Sequence, residues 1–308
     1  MNGPSTINPV RTVLGDIDPG QLGVTYVHEH LIIDSPIVEE RFPHIYLPSV
    51  DEAVAEAETC RAAGVATMVD AMPYGGNYLK KLSEVSRRTG LHVVASTGLH
   101  TEKYYPDDTP IESARFSADV AGGCGVFKAA TGPEGINQRA LQLFTAMAET
   151  HLETGVPIIT HCEDGLGAMT QIELLTTLGV PLTRVVISHT DKVPDPAYHR
   201  DMLQTGVNLE YDQALRQATG KATTPRLLAS MIEEGFLAQL MLGTDGARRS
   251  LWRTLGGSPG LAYLGTEFVE VLNANGVGRE DIRTLFVANP ARWLVLATAE
   301  RQLPDPTR

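Results

Sequence analysis

Short apolar runs recur along the chain, and helical patterns lie between many of them. The runs are Gly23–Val27, Val65–Val69, Leu91–Ala95, Gly125–Phe127, Val156–Ile159, Arg184–Ile187, Gly206–Leu209 and Gln239–Leu242. Between them, Asp51–Ala63 is rich in Ala and Glu, opens on acidic residues that suit a helix N-terminus and stops at Gly64. Leu79–Thr89 ends at Gly90 in the same way, and Gln138–Glu153 ends before Gly155. Eight strand candidates with intervening helices predict parallel β/α units. The expected fold class is α/β, a single-domain (β/α)8 TIM barrel over residues 1–308 with its core at about 23–292; such a barrel needs about 250 residues. An open doubly wound sheet is the competing architecture. It is weakened by the lack of a GxGxxG at a first strand-to-helix turn.

Composition narrows the class. The 308 residues are 43% hydrophobic, enough for a large core. Lys and Arg total 25 against 37 Asp and Glu, a net charge of −12, which disfavours duplex nucleic acid and anionic membrane surfaces as partners. No apolar run approaches the roughly 18 residues of a membrane span. Met1–Val10 has neither a basic segment nor an apolar one, so no signal peptide is expected. Cys60, Cys124 and Cys162 stand in unrelated contexts and form no CxxC pair. They read as reduced thiols in a cytoplasmic protein.

The chemistry lies at the ends of the apolar runs. Val27-His28-Glu29-His30 follows the first, Lys128 the fourth, His161 the fifth, His189 the sixth and Asp245 the eighth. Strand side chains alternate, so His28 and His30 share a face and Glu29 takes the other, where it reads as structural. Catalytic residues of such barrels sit at the C-terminal strand ends. Imidazole and carboxylate suit zinc and similar divalent ions, with manganese or cobalt also compatible. Singly, a strand-end histidine is usually a hydrogen-bonded structural residue and an Asp there a helix cap; the ordered set carries the reading. Lys128 needs separate chemistry, because an ammonium has no lone pair for a metal. A neutral lysine can add carbon dioxide to give a carbamate, an anion able to bridge two cations. The set therefore points to a binuclear centre with N6-carboxylysine at Lys128.

In these residues the chain resembles the phosphotriesterase-related branch of the amidohydrolase superfamily. The matching pieces are Gly23–His30, Gly125–Ala130, Pro157–His161, Val186–His189, Leu242–Asp245 and Asn289–Arg292, spread over most of the chain. The resemblance implies a (β/α)8 barrel holding two divalent metal ions. His28, His30 and Asp245 would hold the buried ion, His161 and His189 the more exposed one, and carboxylated Lys128 would bridge them. It also implies a hydrolase acting on a small molecule, with Asp245 moving the proton from the attacking water towards the leaving group, and a homodimer.

Substrate choice is expected in the loops after the seventh and eighth strands. Arg216 stands in the first, and Arg248, Arg249 and Trp252 in the second. A guanidinium fork suits phosphate or carboxylate. The Asp-x-x-Arg-x-Ser and Gly-Gly-x-Pro-Gly pattern resembles family members that open lactones of sugar phosphates, where Arg216 and Arg248 would grip the phosphate. Two departures stand against this: Leu251 and Trp252 replace an expected aromatic hydroxyl, and Arg replaces the usual Lys at 216. Trp252 lines an apolar part of the pocket or covers the rim, and Tyr104, after the third strand, reaches the pocket or packs on the surface. The expected function is a metal-dependent lactonase favouring an anionic, sugar-phosphate lactone. A carboxylesterase, amidase or phosphotriesterase on the same site is the enzymatic alternative, and a non-catalytic metal-binding scaffold the other class.

Overall fold

A computed structural model describes residues 8–73 and 78–297. It opens with a hairpin of β1 (Val10–Thr12) and β2 (Gly15–Ile17), which the hydrophobic pattern did not announce. Eight parallel strands follow: β3 (Val24–Glu29), β4 (Val65–Asp70), β5 (His92–Gly98), β6 (Cys124–Thr131), β7 (Ile158–Cys162), β8 (Val185–Ser188), β9 (Asn208–Tyr211) and β10 (Leu240–Leu242). Each pairs with the next in chain order, from β3 to β10. All eight apolar runs are strands, and the expected TIM barrel is the observed fold.

Helices separate the strands: α1 (Pro36–Arg41) and α2 (Val50–Ala62) after β3, α3 (Tyr78–Thr89), α4 (Ser113–Ala121), α5 (Gln138–Thr154), α6 (Ala168–Thr177), α7 (Pro196–Leu203), α8 (Thr224–Glu233), and α9 (Glu267–Ala274) after β10. Local chemistry sets their ends. The Ser49 side chain accepts from Glu52 N to open α2, and Asn137 accepts from Ala140 N to open α5. Gly155, left-handed at φ 71°, closes α5.

The ring closes between β10 and β3, where the Thr244 and Asp245 N–H groups donate to the His28 carbonyl at 3.1 and 3.0 Å. Gly243 makes that approach possible. A Cβ there would lie 2.5 Å from Glu210 Oε1 and 2.7 Å from the His28 Cβ. Seven strands each give one aliphatic side chain to a layer of Val27, Val69, Val94, Val126, Ile159, Val186 and Met241, packed with Val10, Leu22, Trp293 and Leu294. Two residues beyond Val126 and Ile159, on the same strand faces, come Lys128 and His161. The polar site is thus stacked on a dry layer.

The loop after β10 is tied to α2. Buried Glu56 accepts from the backbone N–H groups of Arg253, Thr254 and Leu261 at 3.3, 3.0 and 2.9 Å, and from the Thr254 hydroxyl at 2.7 Å. One turn earlier, Glu52 pairs with Arg249 at 3.1 Å. Among the described residues no helix is long and apolar enough to cross a membrane.

Candidate metal centre

The ligand-type residues from five strands converge at one end of the barrel. A register irregularity between Tyr26 and Glu29 in β3 falls where His28 sits, and bulges of this kind re-aim side chains beside active sites. The His28 ring centroid lies 5.2 Å from that of His30 and 5.0 Å from His189; His161 and His189 are 4.4 Å apart. His30 Nε2 is 3.1 Å from Asp245 Oδ1, and His28 Nε2 is 4.0 Å from the same oxygen. His189 and Asp245 have positive φ, 66° and 43°. Besides glycine, Asp164 is the one other described residue in that region. Such backbone is held only where its surroundings enforce it, and it clusters at functional sites.

The residues fit divalent cations by three observations. Ligand atoms of His28, His30 and Asp245 lie within 4.8 Å of one another, and so do those of His28, His189 and Asp212. His30 Nδ1 and His161 Nδ1 are buried without a hydrogen-bond partner among the described residues. Burial above all drives His28 and His161 well below the ordinary imidazole pKa, leaving neutral rings with lone pairs to offer. Lys128 adds a fourth indication. It is fully buried, Nζ has His28 Nε2 at 3.3 Å, and no described carboxylate forms an ion pair with it. Burial lowers its pKa to about 8, against the pull of Asp245, Glu210 and Asp212. A cation held against an imidazole is poor electrostatics. A neutral amine carrying a carboxylate would suit the place better.

Carboxylates behind the histidines orient them. Glu210 Oε2 lies 3.2 Å from His28 Nδ1, which turns Nε2 inward. Asp212 Oδ2 approaches His189 Nδ1 to 2.6 Å, out of line for a hydrogen bond, and also accepts from the His189 backbone N–H at 3.0 Å. Glu163 Oε2 lies 2.9 Å from His161 Nε2. Asp191 braces this layer by accepting from Asp212 N, Gln213 N and the Thr224 hydroxyl. Burial, then Asp212, raises the Glu210 carboxyl well above its usual range. Partners of this kind fix the tautomer of a metal-binding histidine. From the sequence alone, Glu210, Asp212 and Glu163 take no role in the site. Alternation along β9 places Glu210 and Asp212 on one face, and that was the available signal.

The remaining candidates lie at the rim. Arg216, in the loop after β9, donates from Nη2 to Asp245 Oδ2 at 2.7 Å and to the Asp245 carbonyl at 2.9 Å. Burial opposes the Asp245 carboxylate, but Arg216 and the histidines outweigh it and hold its pKa well below the ordinary value. Arg248 is exposed. Tyr104 sits edge-on to His100 at 5.2 Å, and burial lifts its phenol to about 12; Glu163 and Asp245 add to the rise and Arg248 opposes it. Trp252 is fully buried within its own loop, its Nε1 donating to Gly246 O at 2.7 Å. A cavity of about 170 Å³ opens between the loops after β5 and β6, lined among others by His100, Lys103, Glu134, Asn137, Arg139 and Glu163.

Comparison with known proteins points the same way. A family model described as the phosphotriesterase family matches residues 8–294. A phospho-furanose lactonase of Mycoplasmopsis synoviae is 30% identical over 338 residues, covering 97% of this chain and 94% of its own. The crystal structure of a lactonase from Listeria monocytogenes superposes with a TM-score of 0.87 at 27% identity, over 94% of this chain and 99% of the other. The phosphotriesterase homology protein of Escherichia coli, solved with phosphate in its active site, gives 0.83 at 25% identity, over 90% and 100%.

Proposed function

The chain belongs to the phosphotriesterase family of metal-dependent hydrolases, and on that premise we propose that its site opens the ring of an anionic lactone, a sugar-phosphate lactone being favoured. The observation that carries this reading is the guanidinium of Arg216 on Asp245 at 2.7 Å, which sets a cation at the reaction centre, with Arg248 exposed on the neighbouring loop. The likeness to a phospho-furanose lactonase and to a relative holding phosphate supports an anionic group in the substrate.

His28, His30 and Asp245 would hold one divalent ion, His161 and His189 a second, and Lys128, as its carbamate, would join them. Bound there, the ions would acidify water and polarise the lactone carbonyl. Asp245 takes the proton from the attacking water and returns it to the ring oxygen as the acyl C–O bond breaks, giving a hydroxy acid. Arg216 steers Asp245 and, with Arg248, faces the anionic group. Glu210 and Asp212 hold the rings of His28 and His189. A carboxylesterase, amidase or phosphotriesterase is the second reading, favoured by the apolar Leu251 where an aromatic hydroxyl is expected; Leu251 is 8% exposed.

A pH-indicator screen of the metal-loaded protein decides between them, pairing each phosphorylated aldonolactone with its unphosphorylated form. A preference for the phosphorylated members of at least about tenfold is expected, the worth of one charge-assisted contact. Turnover confined to neutral lactones or esters would remove the arginines from substrate binding.

A further inference from the structure

A neutral imidazole has one N–H and one lone pair, and the partner of one nitrogen decides the role of the other. His161 Nε2 faces Glu163 Oε2 at 2.9 Å. A carboxylate only accepts, so Nε2 carries the hydrogen. Nδ1, buried and without a described partner, then holds the lone pair on the side away from Glu163.

The backbone is built to fold Glu163 back onto this ring. β7 ends at Cys162, and the next three residues form a tight turn with Asp164 at φ 55°. A non-glycine residue there costs of order 1 kcal/mol, so the turn must be held from outside. Gly165 supplies the grip: it lies so close under the His189 carbonyl that a Cβ would come to 2.5 Å, and its own carbonyl accepts from the Tyr198 hydroxyl at 3.0 Å. Lys103, from the loop after β5, stands 3.9 Å from the second Glu163 oxygen. Glu210 and Asp212, behind the other rings, are completely buried; the Glu163 side chain is 26% exposed and lines the cavity at the mouth.

We propose that Glu163 is the positioning residue of the more exposed metal subsite, fixing the Nε2–H form of His161 so that Nδ1 is the nitrogen presented to the metal. The proposal rests on the metal-centre reading above. Its test uses the full chain loaded with zinc, in wild type, Glu163→Ala, Glu163→Gln and Glu134→Gln, the last removing a carboxylate that lines the same cavity. Metal per chain is measured after dialysis against graded chelator, and the tautomer of His161 by ¹⁵N NMR of histidine-labelled, metal-free protein. Glu163→Ala is expected to release one of two ions at about 10- to 100-fold lower chelator. Glu163→Gln, whose amide oxygen still accepts, should stay within a few-fold of wild type, and Glu134→Gln should match it. The metal-free wild type should show the Nε2–H form, and Glu163→Ala a mixture. Retention of both ions by Glu163→Ala at wild-type chelator levels, or an unchanged tautomer in that variant, would overturn the proposal. A wild-type chain that shows the expected tautomer yet binds no zinc would overturn the metal centre, and this role with it.

Discussion

Glu29, at the end of the first barrel strand, and Thr244, just past the last, are joined twice: Glu29 Oε1 accepts the Thr244 backbone N–H at 3.0 Å, and Oε2 meets the Thr244 hydroxyl. The carboxylate between His28 and His30 is therefore a seam between the first and last barrel strands, one residue from Asp245. Glu29→Ala is expected to cost about 2–3 kcal/mol, because it strands the buried Thr244 hydroxyl, leaves the Thr244 N–H only the His28 carbonyl and opens a void. Urea denaturation checks this, as a lower midpoint at unchanged slope. A loss under about 0.5 kcal/mol would mean that the seam is held by backbone alone.

Lys128 tests the bridge. Lys128→Ala should lower metal affinity at least about tenfold, and added short carboxylates should restore part of it by standing in for the carbamate. Elemental analysis of dialysed protein gives the answer. Metal content equal to wild type would rule the carbamate out.

The two arginines should separate kinetically. Arg248 is exposed, and among the described residues its side chain makes no hydrogen bond or ion pair with the six ligand-type residues, so Arg248→Ala should raise KM for an anionic lactone by about 10- to 100-fold and leave kcat near wild type. Arg216 grips Asp245, so Arg216→Ala should lower kcat as well. Equal losses on charged and neutral substrates would exclude Arg248 from the substrate site.

His199 predicts an acid limb. It is fully buried, Nε2 donating to the Val193 carbonyl at 2.9 Å and Nδ1 accepting from Tyr211 at 2.8 Å. Burial, the largest influence, depresses its pKa below 6.5. The unfolded chain then takes up a proton that the fold resists, so stability is present above about pH 6.5 and is lost as pH falls towards the depressed folded value. Urea midpoints in chelator at about pH 7.5 and about pH 5.5 should show a smaller drop for His199→Gln than for wild type. Parallel drops would assign the limb to other groups.

The strands were legible because a buried parallel strand is almost purely apolar, so each run marked itself. Their lengths were less legible. Lys128 reads as the end of a run but lies inside β6, which continues to Thr131, because Ala129 and Ala130 are too small to announce a strand. The gathering of the six ligand-type residues followed from their places on those runs. What stands behind them did not. His28 meets Glu210 across 182 residues, and no local pattern encodes that distance. Arg216 carried the same charge in the sequence whether it faced a substrate or Asp245, and only the packing of two loops brings it to the carboxylate.

The tie between Glu56 and the loop after β10 bears on how such an enzyme changes over generations. Three of its four hydrogen bonds go to main-chain N–H groups, so Glu56 holds residues 253–261 largely without regard to the side chains at Arg253 and Leu261. Outside Gly256 and Gly260, held at left-handed φ, and Gly257, where a Cβ would come to 2.3 Å from the Ser250 carbonyl, mutation can rewrite that stretch, proline aside where an N–H is needed, and the curve survives. A lineage could thus explore new molecules at its rim one substitution at a time without rebuilding the rim itself.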